Sequence, residues 1–229
     1  MKNILNEKPD QNLHGRLLFS ADFVDDEDIK NKTILDIGCG YGWCEMNFLK
    51  RGVKEIIGME TSEDDLKTAK QYIEDKRAGF IVGNALKIPF KNDCFDTVVC
   101  WEVLEHIPKN NEMNLFREVN RVLKKDGAFY LSTPYDRLLS IFFDPAWWLI
   151  GHRHYGKKQI TQYIQKNGFK LVKMEVRGKI WCLISGINMY FSKWILRRKP
   201  LFQKYFIKKE NLEYQKKNGF NNIFIKAKK

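Results

Sequence analysis

Residues 33–42 read TILDIGCGYG, a short apolar segment that runs directly into three glycines at alternate positions. The apolar residues have the character of a buried strand, and Asp36 interrupts them just before the turn. A strand that feeds a glycine-rich turn lets backbone N–H groups approach a ligand closely. The spacing differs from the dinucleotide-binding fingerprint, whose third glycine comes one residue later, and an acid beside the turn disfavours a pyrophosphate. The stretch therefore predicts a nucleoside site for a ligand that carries positive charge.

The segments after this turn alternate between strand-like and helix-like patterns. Strands are expected at 55–60, 80–82, 95–101, 127–132 and 223–225, and helices at 10–29, 43–51, 62–76, 112–123 and 159–165. This alternation is typical of an α/β doubly wound sheet, in which ligands bind outside the carboxyl ends of the strands. The first helix is expected to carry His14 and Arg16 towards the site, and residues 25–28 to form an acidic surface turn.

Polar side chains follow two of the later strands. Glu60 comes 18 positions after Gly42, near the distance at which an acid accepts hydrogen bonds from ribose hydroxyls. Asn84 offers an amide and Ala85 a backbone N–H to the edge of a base. A lone acid at a strand end is more often a surface residue, but these features occur together, and together they indicate a nucleoside site.

Four segments together resemble class I S-adenosylmethionine-dependent methyltransferases of the type 11 group, namely LDIGCGYG, GMETS, GNALKIPFKNDCFDTVVCWEVLEHIP and LKKDGAFYLSTP. The resemblance covers about residues 14–176. It implies a Rossmann-like methyltransferase fold with a seven-stranded, mostly parallel sheet, and S-adenosylmethionine as the cofactor. The implied cofactor-binding residues are Asp36, Gly38, Cys39, Gly40, Gly42, Glu60, Thr61, Asn84, Ala85, Trp101 and Glu102. The family usually has an aspartate where Asn84 stands, but an amide can also read an exocyclic amine.

Histidines are the candidates for acid–base work. A sulfonium methyl is already activated, so catalysis needs in-line positioning, exclusion of water and, for some acceptors, removal of a proton. The run HRHY at 152–155 resembles the segment that enters the acceptor pocket, and His154 is the first candidate for a base or orienting donor. His106 is the second.

A divalent cation is the alternative use of the second histidine. In quinone-biosynthesis O-methyltransferases, which this group resembles, an ExxEH run contributes to a cation site, and here it comprises Glu102, Glu105 and His106. A glutamate–histidine pair after this strand also occurs widely in the fold with a local structural role. We therefore expect no metal.

Two apolar segments exceed what a minimal fold of this kind needs. Residues 138–150 are unusually aromatic. Residues 180–196 have their polar positions on one side of a helix and are followed by Arg197, Arg198 and Lys199. Such a helix suits a membrane interface or a lid over an apolar acceptor, or it simply packs on the sheet. We expect a single domain, 1–229, with a core at about 14–176, a final strand at about 220–227 and an insert or lid at about 135–156 and 178–212.

The net charge of +12 is concentrated in the C-terminal part of the chain. Residues 135–229 contain 21 Lys and Arg against 5 Asp and Glu, whereas residues 1–134 carry a net charge of −4. This asymmetry fits an anionic partner or a solvated lysine surface.

The expected reaction is an in-line SN2 transfer of a methyl group to a small, apolar or lipid-like acceptor. Peripheral contact of residues 180–209 with a membrane is left open. The alternatives are a tRNA or RNA methyltransferase and a binding protein that has lost its acceptor site. Nucleic acid is less favoured because no RNA-binding module is visible.

Cysteine usage and the first residues bear on the compartment. The five cysteines form no CxxC pair, which indicates reduced thiols and argues against a zinc site. Residues 1–12 have no apolar segment typical of a secretion signal. We expect a cytoplasmic location, with attachment to the inner face of the membrane left open.

Overall fold

Seven strands form the sheet of the computed structural model, which describes residues 8–229. In chain order they are β1 (Thr33–Ile37), β2 (Glu55–Glu60), β3 (Ala78–Val82), β4 (Phe95–Trp101), β5 (Leu123–Pro134), β6 (Lys170–Arg177) and β7 (Asn222–Lys228). They lie in the order β3-β2-β1-β4-β5-β7-β6, and β7 pairs antiparallel with both of its neighbours while the other pairs are parallel. The predicted doubly wound, mostly parallel sheet is therefore confirmed. Residues 1–7, which begin the segment examined for a secretion signal, lie outside the described residues.

Helices cover both faces of this sheet. Those in residues 8–229 are α1 (Gly15–Phe23), α2 (Glu45–Lys50), α3 (Glu63–Tyr72), α4 (Glu112–Val122), α5 (Leu138–Phe142), α6 (Pro145–Ile150), α7 (Lys157–Lys166), α8 (Ile180–Tyr190) and α9 (Gln203–Gln215). A π-helical turn, Phe191–Ile195, extends α8. The aromatic segment 138–150 thus folds as two short helices. Within the same residues, no helix is both long and apolar enough to cross a membrane.

The helix predicted at 62–76 is shorter than expected. Ser62 caps its start, because the Ser62 hydroxyl accepts a hydrogen bond from the Asp65 N–H. The helix ends at Tyr72, where Ile73 adopts an extended conformation. That change buries the Ile73 side chain in a cluster with Leu66 and Phe80, and burial of an isoleucine is worth about 1.5–3 kcal/mol.

Alternate residues of the central strands pack on opposite faces of the sheet. Leu35 and Ile37 of β1 belong to the cluster covered by α4 and α7, whereas Ile34 belongs to the cluster covered by α1 and α2. Period-two alternation places Asp36 on the same face as Ile34. The acid of the glycine turn therefore lies on the side of the sheet that α1 and α2 cover.

The acidic segment at 25–28 is not a simple surface turn, and that prediction was wrong for Asp28. Asp28 is 5% exposed and accepts a hydrogen bond from the Tyr130 hydroxyl at 2.7 Å. The Lys226 and Lys228 ammonium groups each lie 2.8 Å from an Asp28 oxygen. Burial raises the pKa of Asp28, but hydrogen bonds from these lysines outweigh it, and the net pKa is lowered. Part of the basic excess therefore neutralises acids of the N-terminal part across the sheet.

Candidate cofactor and acceptor sites

The glycine turn after β1 is held against the end of β2. Gly38 has φ of +76°, and a Cβ there would lie 2.3 Å from a methyl group of Val103, so both the backbone and the space require glycine. The Gly38 N–H donates to the Met59 carbonyl at 2.8 Å, and the Gly40 N–H donates to the Glu60 carboxylate at 3.2 Å. The structure thus brings together the turn and the acid that the sequence assigned to the ribose.

The other predicted adenosine contacts lie at the neighbouring strand end. Glu60 is paired with Val82 across β2 and β3, so residues 84–85 follow directly beside it. The Glu60 carboxylate also accepts hydrogen bonds from the Thr61 N–H at 2.6 Å and the Thr61 hydroxyl at 3.0 Å. Asn84 is exposed and its side-chain oxygen accepts from the Leu86 N–H at 2.8 Å. These residues line one edge, as nucleoside recognition requires.

Two buried carboxyl groups lie beneath this turn. Asp36 is 2% exposed, and one of its oxygens has no hydrogen-bond partner among residues 8–229. Glu45 is fully buried, and neither of its oxygens has a hydrogen-bond partner within that same range. A Cβ on Gly58 would lie 2.6 Å from a Glu45 oxygen, and Gly58 is the register partner of Asp36, so the two carboxyl groups stand side by side.

Burial makes this pair hard to ionise. Burial, and then the charge of Glu60, raise the pKa of Asp36 to about 8. Burial, and then the charge of Asp36, raise the pKa of Glu45. The unsatisfied carboxyl oxygens fit a ligand with a positively charged group, such as the ammonium of S-adenosylmethionine, because a nearby cation favours the ionised form of a buried carboxyl group. Sequence reasoning missed Glu45, although a charged residue on the inward side of the predicted helix 43–51 was an available signal.

Three predicted cofactor residues have side chains that are buried or hydrogen-bonded within the fold. The Cys39 thiol is buried under the turn, and the Trp101 indole lies in the core cluster that contains Cys44 and Tyr214. Glu102 has φ of +54°, and its carboxylate accepts hydrogen bonds from Ser132 at 2.6 Å and Asn222 at 2.8 Å. The Glu102 carboxylate also lines the neighbouring cavity, and its assignment to the cofactor stays a prediction.

The cavity lined by Glu102 has a volume of about 330 Å³. Residues of α1, the 138–150 segment, α8 and α9 surround it. Its polar residues include His14, Arg16, Glu102, Asp144 and His154, and its apolar residues include Leu17, Phe143, Leu183, Met189, Phe206 and Ile207. The Arg16 guanidinium lies 3.4 Å from the Glu102 carboxylate. The first helix and its N-cap thus place Arg16 and His14 in the lining of this cavity, and both predicted lid segments contribute to its walls.

His154 is fixed by two hydrogen-bond acceptors. Its side chain is 4% exposed, with Nδ1 3.2 Å from the Tyr135 carbonyl and Nε2 3.1 Å from the Asp144 carboxylate. Both partners are hydrogen-bond acceptors, so a His154 nitrogen that bonds to either of them does so as the donor. Burial raises the pKa of Asp144, but hydrogen bonds from His152 and His154 outweigh it, and the net pKa is lowered. This geometry favours His154 as an orienting donor over a proton acceptor. Asp144 was missed from the sequence, although its position before Pro145 at the start of α6 is a typical capping signal.

His152 joins this pair to His106. His152 lines the cavity, with Nδ1 3.4 Å from the Asp144 carboxylate and Nε2 3.2 Å from His106 Nε2. Desolvation, and then the neighbouring His152, lower the pKa of His106 to about 4, so His106 is neutral at pH 7. His106 itself is exposed and lies outside the cavity lining. A connected row of titratable groups therefore leads from the cavity to the surface.

The same row contains the groups that suit a cation. Glu105, His106 and His152 place their ligand atoms within 4.8 Å of one another, and Glu105 is buried with one oxygen lacking a hydrogen-bond partner among residues 8–229. Glu102 of the ExxEH run is held by Ser132 and Asn222. The structure thus replaces Glu102 with His152 in the set weighed from the sequence, and the expectation of no metal remains a prediction.

The strand order and the glycine turn at the end of β1 define a class I S-adenosylmethionine-dependent methyltransferase fold. An S-adenosylmethionine-dependent methyltransferase from Mesorhizobium loti superposes with a TM-score of 0.63 at 15% identity, covering 92% of this chain and 95% of that chain. Residues 35–131 match the family described as "Methyltransferase domain". S-adenosylmethionine is the cofactor of this class.

The similar curated proteins differ in acceptor. A ubiquinone biosynthesis O-methyltransferase from Neisseria meningitidis serogroup C (strain 053442) is 27% identical over 126 residues, or 53% of this chain and 52% of the relative. Norajmaline N-methyltransferase from Rauvolfia serpentina is 35% identical over 107 residues, or 44% of this chain and 36% of the relative. The chain thus spans about half or less of these relatives' length. Their names include both oxygen and nitrogen acceptors. The similarity therefore supports the assignment of the cofactor but does not identify the acceptor, which has to be inferred from the local structure.

Proposed function

We propose that this protein transfers the methyl group of S-adenosylmethionine to a small, apolar or lipid-like acceptor. The observation that carries the proposal is the cavity of about 330 Å³, which reaches the end of β4 at Glu102, close to the glycine turn. Its lining combines apolar side chains of the lid with polar groups, among them Glu102, His152 and His154. This arrangement suits an acceptor with an apolar body and one polar reactive group.

On the cofactor side, we assign each part of S-adenosylmethionine to residues at the carboxyl end of one strand. S-adenosylmethionine supplies an activated methyl group when bound. Asp36 and the turn at 38–42 would hold its charged methionine part, Glu60 the ribose hydroxyls, and residues 84–85 the adenine. The buried position of Asp36 makes its interaction with a cation stronger than the same contact in water.

On the acceptor side, Arg16 would orient the polar end of the acceptor by donating hydrogen bonds, and His154 would hold the Asp144 carboxylate in place at the cavity wall. His152 would take up a proton from an acceptor hydroxyl or amine, and neutral His106 would pass it to solvent. The lid excludes water from the reacting atoms, which matters because catalysis here is chiefly positioning.

RNA receives less support as the acceptor. Lys226 and Lys228 are paired with Asp28, and Arg153 and Arg177 form ion pairs with neighbouring glutamates. Part of the positive charge that favoured RNA is thus paired within the fold. The lining of the cavity from α8 and α9 also contains apolar side chains and Glu210 and no lysine or arginine, which does not favour a phosphate backbone.

The test uses S-adenosylmethionine with a deuterated methyl group. The protein is incubated with this cofactor and either a total lipid extract or total RNA from cells that lack the gene, and the products are analysed by mass spectrometry. Label in the organic-soluble fraction is expected, and Asp36→Asn should lose it together with cofactor binding measured by calorimetry. Label in RNA, or none in lipid despite intact cofactor binding, would overturn the proposed acceptor class.

A further inference from the structure

The helix α8 and its π-helical extension expose one stripe of apolar side chains, while their buried residues include both the apolar Cys182 and Leu183 and the polar Ser192. The exposed residues recur at helical spacing along one stripe: Ile180, Ile184, Ile187, Phe191, Trp194 and Ile195. On the opposite side Ser192 is fully buried, and the Asn188 amide donates to the Leu201 carbonyl at 2.8 Å. A surface helix of a water-soluble protein normally exposes polar side chains instead. The stripe therefore requires a partner that is itself apolar.

The short helices α5 and α6 continue the same apolar surface. Leu138, Phe142, Trp148 and Leu149 are between 62% and 88% exposed. Phe142, Trp148 and Leu149 line a shallow hollow together with Ile187 of α8, so the two sets of side chains are contiguous. We name this combined surface the apolar face. A contiguous exposed apolar patch that is rich in tryptophan and phenylalanine marks an interaction surface.

Basic residues border the apolar face. Arg197, Arg198, Lys199, Lys204 and Lys208 follow the exposed stripe and are all exposed. No acidic residue occurs in the sequence between Glu175 and Glu210. A second copy of this chain docking through the same surface would bring these like charges together. An anionic lipid surface instead satisfies both the aromatic residues and the positive border.

The apolar face is also adjacent to the acceptor cavity. Phe143 and Pro145 line both the surface hollow and the internal cavity, so this thin wall separates the two. We infer that the apolar face docks peripherally on an anionic membrane, and that a lipid-like acceptor passes from the bilayer into the cavity beside Phe143. The docking stands on the exposed face alone, whereas the passage of an acceptor rests on the proposed function.

Vesicle co-sedimentation tests the docking. The full chain should bind vesicles of phosphatidylglycerol and phosphatidylcholine and should bind pure phosphatidylcholine vesicles less. The double variant Trp148→Ser, Ile195→Ser should lower the partition coefficient by about tenfold or more, because both apolar anchors are lost. The matched control is Tyr72→Ser, Val172→Ser, which removes two exposed apolar side chains, 44% and 53% exposed, away from this face. The control should bind vesicles like the unmodified protein.

Two further measurements keep the outcomes separate. Calorimetry with S-adenosylhomocysteine should show unchanged cofactor-site affinity in both double variants, which establishes that they are folded. Absence of vesicle binding, or an equal loss in both variants, would overturn the docking. A dimer in solution that Trp148→Ser, Ile195→Ser dissociates would assign the face to a second copy instead. If vesicles are bound but no lipid is methylated, the docking stands and the proposed acceptor fails.

Discussion

The two halves of the active region are built in different ways. The cofactor half uses short segments whose partners are close in sequence, such as Gly40 with Glu60 and Ser62 with Asp65. The acceptor half joins distant segments: Glu102 accepts from Asn222, and the Gly15 N–H donates to Asn211 at 2.6 Å. This difference shows that the residues of the cofactor half can be predicted from short sequence motifs in this fold. Acceptor chemistry depends on how the chain ends are folded over the sheet.

Replacing one glycine in each half should give the largest difference in affinity for S-adenosylmethionine. Gly38→Val adds side-chain atoms at a position where even a Cβ lies 2.3 Å from Val103, and it strains a backbone with positive φ. Affinity for S-adenosylmethionine, measured by calorimetry, should fall by about a hundredfold or more, since the turn cannot keep its shape. Gly186→Ala is the matched change in α8, where a Cβ meets nothing within 4 Å. It should leave cofactor affinity unaltered, and a comparable loss there would remove the contrast.

His154→Ala should affect the acceptor half alone. The substitution removes the donor held by Asp144 and the Tyr135 carbonyl, so kcat with the identified acceptor should fall by about 10–100-fold. The dissociation constant for S-adenosylmethionine should stay the same. Steady-state kinetics together with calorimetry make this separation, and an unchanged kcat would exclude His154 from catalysis.

Glu45→Gln should stabilise the protein at alkaline pH when the cofactor is absent. An acid whose pKa is raised in the folded state is more protonated there than in the unfolded chain, so the free energy of unfolding falls as pH rises. For Asp36 this window runs from its ordinary pKa of 3.8 to about 8. Removing the neighbouring buried carboxyl should flatten this decline and add about 1 kcal/mol at pH 8. Urea unfolding at pH 6 and pH 8 measures the effect, and a decline as steep as in the unmodified protein would contradict the coupling.

A chelator should have the smallest effect. Because Glu102 is committed to Ser132 and Asn222, we expect turnover to continue unchanged in EDTA. Loss of activity that Mg²⁺ or Zn²⁺ restores would instead assign a cation to Glu105, His106 and His152. In that case His152→Ala should weaken the response to the metal.

The particular successes and errors of prediction have physical causes. The turn at 38–42, Glu60 and the Ser62 cap were predictable because each depends on backbone geometry and partners within about one strand–helix unit. Asp28 was misassigned because Lys226, which buries it, lies 198 positions later in the chain. The hydrogen bond from Asn222 of β7 to Glu102 was not predictable, because the two residues lie 120 positions apart. Nothing near residue 102 in the sequence carries that information.

By itself, the sequence of this protein determined the doubly wound sheet, the methyltransferase class and the cofactor turn, since apolar periodicity and turn residues act over a few neighbours. The tertiary structure alone decided which face α8 presents, how His106, His152, Asp144 and His154 connect, and where the acceptor cavity lies. Those features depend on packing α1, α8 and α9 over the carboxyl ends of the strands, which brings together residues as far apart as Gly15 and Asn211, 196 positions apart in the chain. Contacts of that kind have no local pattern, and only the folded chain creates them.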